Sequence, residues 1–304
     1  MSVSQTTTFV GEPTPQLYKD LVFGAETINA GIMEVIIDKR TKVPLNRFVV
    51  AANKVTGPQD EPSTTANAST KDEVLITTGE LELYDEFKPS DFNDDWRSLW
   101  AAGTSAQDEF APAILAAIFP GYRESFNTDL ELSIWQGDTG SGSDWLKRFN
   151  GLIKIADADS EVKDLAAAGA ITAGNVISIF NGMITTLADV VKSRMTPFMV
   201  VNHTDFWLYS EALSALDVKG TDYNEKGFTT FRGFRLVPVT GIPAGRIFFT
   251  HSGNIKASTW MTTDYNNVIV QRLAANSRLW FIKILAEFGV NYLFGKEVAL
   301  YKTA

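Results

Sequence analysis

Residues 56–70, TGPQDEPSTTANAST, hold hardly one apolar side chain, yet strand-forming sequence flanks them on both sides. Upstream, IMEVIID (from Ile32) and VPLNRFVVAANKV are rich in β-branched and aromatic residues, which suit a pleated, half-buried surface. Pro44 favours an edge or a strand end, because it has no N–H to give a ladder. Downstream, EVLITTGELELYDEF resumes the strand pattern. Glu80, Glu82 and Glu86 share one parity and Leu81, Leu83 and Phe87 the other, the period-2 signature of a two-faced strand. Together these runs predict a protruding β-hairpin. Arms of roughly 10 residues at about 3.3 Å each would reach some 30 Å. A two-stranded hairpin alone is marginal in water, so such an arm must lie on another surface.

The remaining pattern alternates helix and strand. Residues 1 to about 25 are rich in Thr, Ser, Gln and Pro and predict an arm held only where another surface receives it. PSDFNDDWRSLWAAG (89–103) predicts a short helix capped by Ser90 or Asp91 and ended by Gly103. A second helix is expected from about Gln107 to Gln136. Its stripe of Ile114, Ile118, Tyr122, Phe126, Leu130 and Ile134 is an unbroken i, i+4 series that reads as core packing, with a kink or interruption at Pro120-Gly121. GDTGSGSDW (137–145) is a Gly/Ser elbow suited to a lobe boundary. FNGLIKIADADSEV suggests an Asn150-Gly151 turn and an extended piece. A helix follows over about Ala173–Arg194, then a buried strand, PFMVVNH. TDFWLYSEALSALD reads as a helix with Thr204 as N-cap. GFRLVPV and GRIFFTH are strands, and residues 266–302 give two or more long strands with a break near Ala275-Asn276. The order predicts an α+β chain of two lobes with projecting arms.

Composition narrows the function. Twenty-seven basic residues against 36 acidic ones give a net charge of −9, so no basic field grips phosphates, and contact with nucleic acid should be weak and non-specific. With no cysteine, disulfides, thiol nucleophiles and thiolate metal sites are excluded. The start, MSVSQTTTFVGEPTPQ, has no basic n-region and no apolar h-region, and no run of about 18 apolar residues occurs. A soluble protein made in a cytoplasm is expected, in which Asn67-Ala68-Ser69 and Asn202-His203-Thr204 would not serve as glycosylation acceptors. Twenty Phe, 8 Tyr and 7 Trp supply large, stiff surfaces for cores or subunit contacts.

Asp138-Thr139-Gly140-Ser141 matches the short signature around the catalytic carboxylate of aspartic peptidases. Such enzymes need a second carboxylate sharing one proton, and no second Asp-Thr-Gly or Asp-Ser-Gly exists. Only a homodimer could complete the dyad. Gly137 as a C′ glycine after the long helix explains the same letters without chemistry. His203, beside a helix cap, and His251, at a strand end, suit structural hydrogen bonds, and two isolated His do not make a metal site. Asp157-Ala158-Asp159-Ser160-Glu161 resembles half a calcium loop but lacks its glycine and distal Glu, leaving a solvated acidic turn. No Gly-x-Ser-x-Gly, P-loop or dinucleotide fingerprint is present. No catalytic, cofactor-binding or metal-binding residue is therefore assigned.

The order of parts resembles the major capsid protein of tailed bacteriophages, the Hong Kong 97-like fold, over nearly the whole chain. Residues 1–31 look like that family's N-terminal arm and residues 32–88 like its extended β-hairpin loop. The helix ending in DLELSIWQGD (129–138) resembles its spine helix, within a peripheral domain over 89–145. FNGLIKIADAD (149–159) resembles the Phe-x-Gly-Leu approach to a mixed α/β axial domain, 146–261. FRGFRLVPVTGIPAGRIFFTHSGNIK (231–256) resembles the segment where two strands precede a short Asn-bearing helix. FIKILAEFGVNYLFGKEVALY resembles the return strands of the peripheral domain, 262–304. The resemblance implies a non-enzymatic shell protein, without cofactor, that self-assembles as pentamers and hexamers around a double-stranded DNA genome. It implies assembly in the host cytoplasm, residence in the virion, no membrane, and as partners a portal and either separate scaffold or decoration proteins or none. Lys54 and Lys71 flank the loop tip, but no motif assigns either one to a crosslink. A nanocompartment (encapsulin-like) shell of the same fold is the nearest alternative; a peptidase using Asp138 and a β-rich adhesion or tail module are more distant ones.

Overall fold

The computed structural model describes residues 26–37, 41–50, 69–88, 112–215, 229–259, 268–274 and 279–303. The expected helix over 89–103, Lys54 and the loop tip lie outside them.

Two sheets organise these residues. The first is built on β12 (Trp280–Tyr292), whose ends pair on one side with β11 (Val268–Arg272) and β10 (Ile255–Thr259), both antiparallel. Its other side is filled by β4 (Gly79–Phe87), antiparallel from Trp280↔Phe87 to Phe288↔Gly79. Strand β1 (Glu34–Ile37) adds to β10 in parallel. The second sheet has the order β5 (Lys163–Leu165), β13 (Ala299–Lys302), β9 (Arg246–His251), β6 (Pro197–Asn202), β8 (Phe234–Val239), β7 (Thr230–Phe231). The β7–β8 turn is Arg232-Gly233, with φ of 48° and 83°, the left-handed pair that a two-residue hairpin turn needs.

Strands of the second sheet are apolar on both faces, and parity decides which core each side chain enters. Phe198 and Val200 of β6, Phe248 of β9 and Leu300 of β13 join the core that also holds the first sheet. Met199 and Val201, Ile247 and Phe249, and Ala299 and Tyr301 point the other way, into a second core. That core is closed by α4 (Val176–Thr186), α5 (Asp189–Arg194) and α6 (His203–Ser214). Phe180, Tyr209 and Phe231 meet there with ring centroids 5.3–5.7 Å apart, the spacing of tilted and edge-on aromatic packing.

In the long helix, α2 (Pro112–Gln136), Phe126, Leu130 and Ile134 of the expected stripe are buried and Tyr122 is partly so, while the side chains of Ile114 and Ile118 lie outside the described residues. The helix runs uninterrupted through Pro120. Elsewhere the local reading needs correction. LIKIADA is a helix, α3 (Leu152–Ala158), not an extended piece; Leu152, Ile153 and Ala156 fall on one helical face and are buried, and that burial outweighs the β-branched propensity of the two Ile. The helix expected over 173–194 is two, separated by extended Leu187-Ala188. Asn202, not Thr204, caps α6, its side chain accepting from Thr204 N–H at 2.9 Å. After β9 comes no Asn-bearing helix: Asn254 sits in a turn leading into β10 and bonds Phe294 N–H, Leu293 N–H and the Phe294 carbonyl at 2.8, 3.1 and 3.0 Å.

The hairpin is narrower than 32–88. Among the described residues, β2 (Lys42–Val49) and β3 (Thr70–Thr77) form it, as a separate two-stranded sheet. The alternating Glu/Leu run is β4, which belongs to the body because its apolar parity, with Leu81, Leu83 and Phe87, packs on the first core.

Gly137 has a different role from the one its position suggested. It does not adopt positive φ; a Cβ there would lie 2.5 Å from the Phe149 carbonyl oxygen and 2.6 Å from that of Ser133. The chain crosses itself at this point, Gly151 N–H donating to Gly137 O at 2.8 Å. Because both obstructing atoms are backbone, Gly137→Ala should destabilise the fold by about 1–3 kcal/mol, the scale of an overpacked core. Gly142→Ala, where nothing lies within 4 Å, should stay within about 1 kcal/mol of the parent. Denaturant titration of both variants checks the contrast.

Candidate functional site

Each sequence-singled group occupies a defined place. Asp138 lies just past α2. One carboxylate oxygen accepts from Gly140 N–H at 2.9 Å, and the other pairs with Lys154 at 3.0 Å. The Gly140 N–H and then Lys154 hold it below the usual carboxylate range. A shared-proton dyad needs a second carboxyl against the first, whereas the partners of Asp138 here are a backbone N–H and an ammonium. His203 approaches Glu26 at 3.7 Å, and His251 is hydrogen-bonded to Glu297 at 2.9 Å.

The acidic turn is not merely solvated. Asp157 pairs with Arg246 at 2.9 Å, Tyr292 donates to Asp159 at 2.9 Å, and Glu161 faces Lys296 at 3.4 Å. These bonds close α3 against the ends of both sheets. Among the described residues, no group of three or more His, Asp or Glu converges to hold a metal, and no helix is long and apolar enough to cross a membrane.

A buried polar node was not legible beforehand. The short α1 (Glu26–Asn29) docks on α2 through Thr27, which is fully buried. Thr27 N–H donates to Glu131 at 3.0 Å and its hydroxyl donates to the other Glu131 oxygen. Trp135 Nε1–H is shared between Thr27 Oγ1 at 2.8 Å and Glu131 at 3.1 Å. Glu26 reaches across to Thr240 N–H at 2.6 Å, and Gln136 donates to Gly241 O at 2.7 Å. Only the Glu131–Trp135 spacing, i and i+4, was readable, since Thr27 lies 104 residues away. An open cleft of about 400 Å³ lies beside this node, between Glu26, Thr240 and the α2 residues Arg123, Asn127 and Glu131.

Hydrophobic exposure points to contact rather than chemistry. On the hairpin, Phe48 is 62% exposed and Leu75 43%. Both lie on the face opposite Val43 and Ile76, which are buried at the root. Trp207 on α6 is 67% exposed, unusual for so large a ring. Lys71 stands exposed opposite Phe48.

No family model and no curated protein matches the sequence. Solved structures do. A chain of the satellite phage P4 procapsid, solved with its size-determination protein, superposes with a TM-score of 0.62 at 10% identity, covering 98% of this chain and 94% of that one. The chain shares the fold of phage capsid proteins. The capsid of Myoviridae phage XM1 gives 0.60 at 10% identity, with 92% of each chain covered. A virus-like particle from Pyrococcus furiosus gives 0.53 at 11% identity, with 96% and 100% covered. At such identities the backbone arrangement is common while nearly every side chain differs.

Burial pushes the Glu131 carboxyl above the usual carboxylate range, and nearby Glu26 adds to this, while the Thr27 and Trp135 donors pull against it. A group whose folded pKa exceeds its unfolded one takes up a proton on folding. Its favourable contribution is therefore complete below the unfolded pKa and is lost as pH rises through the folded one. Glu131→Gln should flatten that loss. Thermal midpoints of parent and variant, measured from pH 4 upward, should draw together at the acid end and separate in the variant's favour above it.

Proposed function

We propose that this chain is a major capsid protein of the Hong Kong 97-like type, which self-assembles into pentamers and hexamers of an icosahedral shell around double-stranded DNA. The supporting observation is the likeness to phage capsid chains, which takes in more than nine-tenths of this chain and of theirs. In this reading residues 1–31 are the N-terminal arm and the β2–β3 hairpin is the extended loop. Residues 89–145 are the peripheral domain with α2 as its spine, 146–261 the axial domain, and 262–304 the returning strands. Portal and separate scaffold or decoration proteins are its partners, and the acidic surface touches packaged DNA weakly. The protein acts in the virion without catalysis.

The physics agrees with this assignment. Among the described residues, Phe48 and Val50, outward of Leu45 and Val74, are exposed, as is Leu75 nearer the root. Specific contacts bury about 800 Å² per partner, and repeated head-to-tail contacts of one surface on another close into rings. The second reading is a nanocompartment shell of the same fold around cargo other than a genome; the virus-like particle from Pyrococcus furiosus shows that the backbone arrangement also occurs outside the phage capsids named above.

Negative-stain microscopy of purified protein should show closed particles of uniform diameter, and nucleic acid inside particles from infected cells separates a capsid from a cargo shell. Deleting residues 56–70 should leave folded subunits, by circular dichroism, that no longer close into shells. Asp138→Asn should leave assembly unchanged; loss of a proteolytic activity in that variant would instead favour the peptidase reading.

A further inference from the structure

The hairpin has its own two-stranded sheet, so its direction depends on side chains tying it to the body. Near the root Val43 and Ile76 are buried, and Asn291 donates to the Leu75 carbonyl at 2.8 Å. Four residues farther out along β2, about 13 Å at strand rise, stands Arg47 on the same face. Its fork is divided. Nε and Nη2 hold both oxygens of Asp72, the residue directly opposite on β3, at 2.5 and 2.9 Å. Nη1 leaves the hairpin and donates to the Leu293 carbonyl at 3.0 Å, with Glu161 at 4.0 Å. That carbonyl is itself fixed, because Phe294 N–H, in the same planar peptide unit, donates to Asn254 Oδ1 at 2.8 Å. Only a planar guanidinium has donors in the geometry to grip a carboxylate with one edge and a second element with the other.

We infer that Arg47 is a positioning residue, which sets the direction in which the hairpin leaves the body and hence how it meets a neighbouring subunit. The second half of this statement rests on the shell reading; the first half does not. Without Arg47 the arm keeps its cross-strand ladder but pivots about the Val43, Ile76 and Asn291 contacts. Asp72 stiffens the arm internally, whereas the bond to Leu293 aims it.

The absence of cysteine allows clean spin labelling at Lys71→Cys on the hairpin and Glu124→Cys on α2, both exposed. Pulsed electron paramagnetic resonance on the isolated subunit should give a narrow distance distribution. Arg47→Ala should at least double its width with the circular dichroism spectrum unchanged, and Arg47→Lys, should the alanine variant fold poorly, should widen it to a lesser degree. Asp72→Ala, which leaves the Leu293 bond, should remain narrow. Exchanging the pair, Arg47→Asp with Asp72→Arg, restores the cross-strand charge but not the donor to Leu293, and should remain wide. An unchanged width in Arg47→Ala, or a narrow one in the exchanged pair, overturns the inference. Particles of Arg47→Ala with the parent's uniform diameter would overturn the link to assembly. A parent that forms no particles at all, with the distances as expected, would remove the shell reading and leave the aiming role standing.

Discussion

Strand β12 has two hydrogen-bonding edges over thirteen residues, and the fold depends on both being filled. One edge takes β4 along nine residue pairs. The other takes β11 at its first half and β10 at its last. A strand this long, with unpaired N–H and C=O groups, would be an aggregation template if left open. Filling it takes three separate chain segments, β4, β10 and β11, and β1 on the outer side of β10 adds the N-terminal part to the same sheet. Gly289 is a point of close approach on β12. A Cβ there would meet the Thr77 carbonyl oxygen at 2.6 Å and Thr78 Cα at 2.9 Å, so the chain can pass from hairpin to β4 only across a residue without a side chain. The hairpin is thereby rooted against the strand that holds the sheet together.

From that root the remaining geometry follows. Because β4 is paired along its length, β3 must turn at Thr78 and leave the sheet. Thr78 N–H bonds the Thr41 carbonyl at 3.0 Å, closing the neck of the hairpin. Glu287, buried on β12, accepts from the Thr78 hydroxyl. Tyr122 of α2 donates to Asp85 of β4 at 2.6 Å, and α1 is pinned to the far part of α2 through Thr27 and Glu131. The long helix thus bridges the N-terminal segment and the β12 sheet, while its last turn meets the loop at Gly241. Rigid body and outlying arm are distinct mechanical parts joined by few bonds. This is why single side chains at the joint carry weight that they would not have inside a core.

Period-based features were legible in the sequence. The i, i+4 stripe of α2, the buried run PFMVVN and the alternation in β4 each state their own environment, because burial of one face sets the period directly. Partnership was less legible. Alternation in β4 states that one face is buried but not that β12, about 200 residues on, is the pairing strand, so the sequence by itself places the run in the hairpin. LIKIADA has a mixed local preference, and its helical form is decided by contacts of Leu152, Ile153 and Ala156. Gly137 carried a correct signal, a position intolerant of a side chain, with the wrong cause. The reason was a backbone crossing with Gly151 and not a left-handed cap. Glu131 offers only its i, i+4 spacing to Trp135, since an acid in an amphipathic helix is ordinary until Thr27 arrives from the distant N-terminal segment.

The exposed side chains of the arm follow a gradient with a physical meaning. Along the body-facing row, Val43 and Ile76 are buried, Leu45 and Val74 are partly covered, and next come Arg47 and Asp72, an ion pair. Apolar anchoring thus gives way to directional bonding as the hairpin departs, and on the opposite face Leu75 and Phe48 meet water. An arm selected only for solubility would carry polar groups there, as Lys71 does beside Phe48. An arm selected to pack on its own body would put Phe48 on the inner face. The observed order suits a third demand, in which the chain fixes the arm's aim and leaves Leu75 and Phe48, set among the polar residues of the outer face, for a surface beyond the described residues.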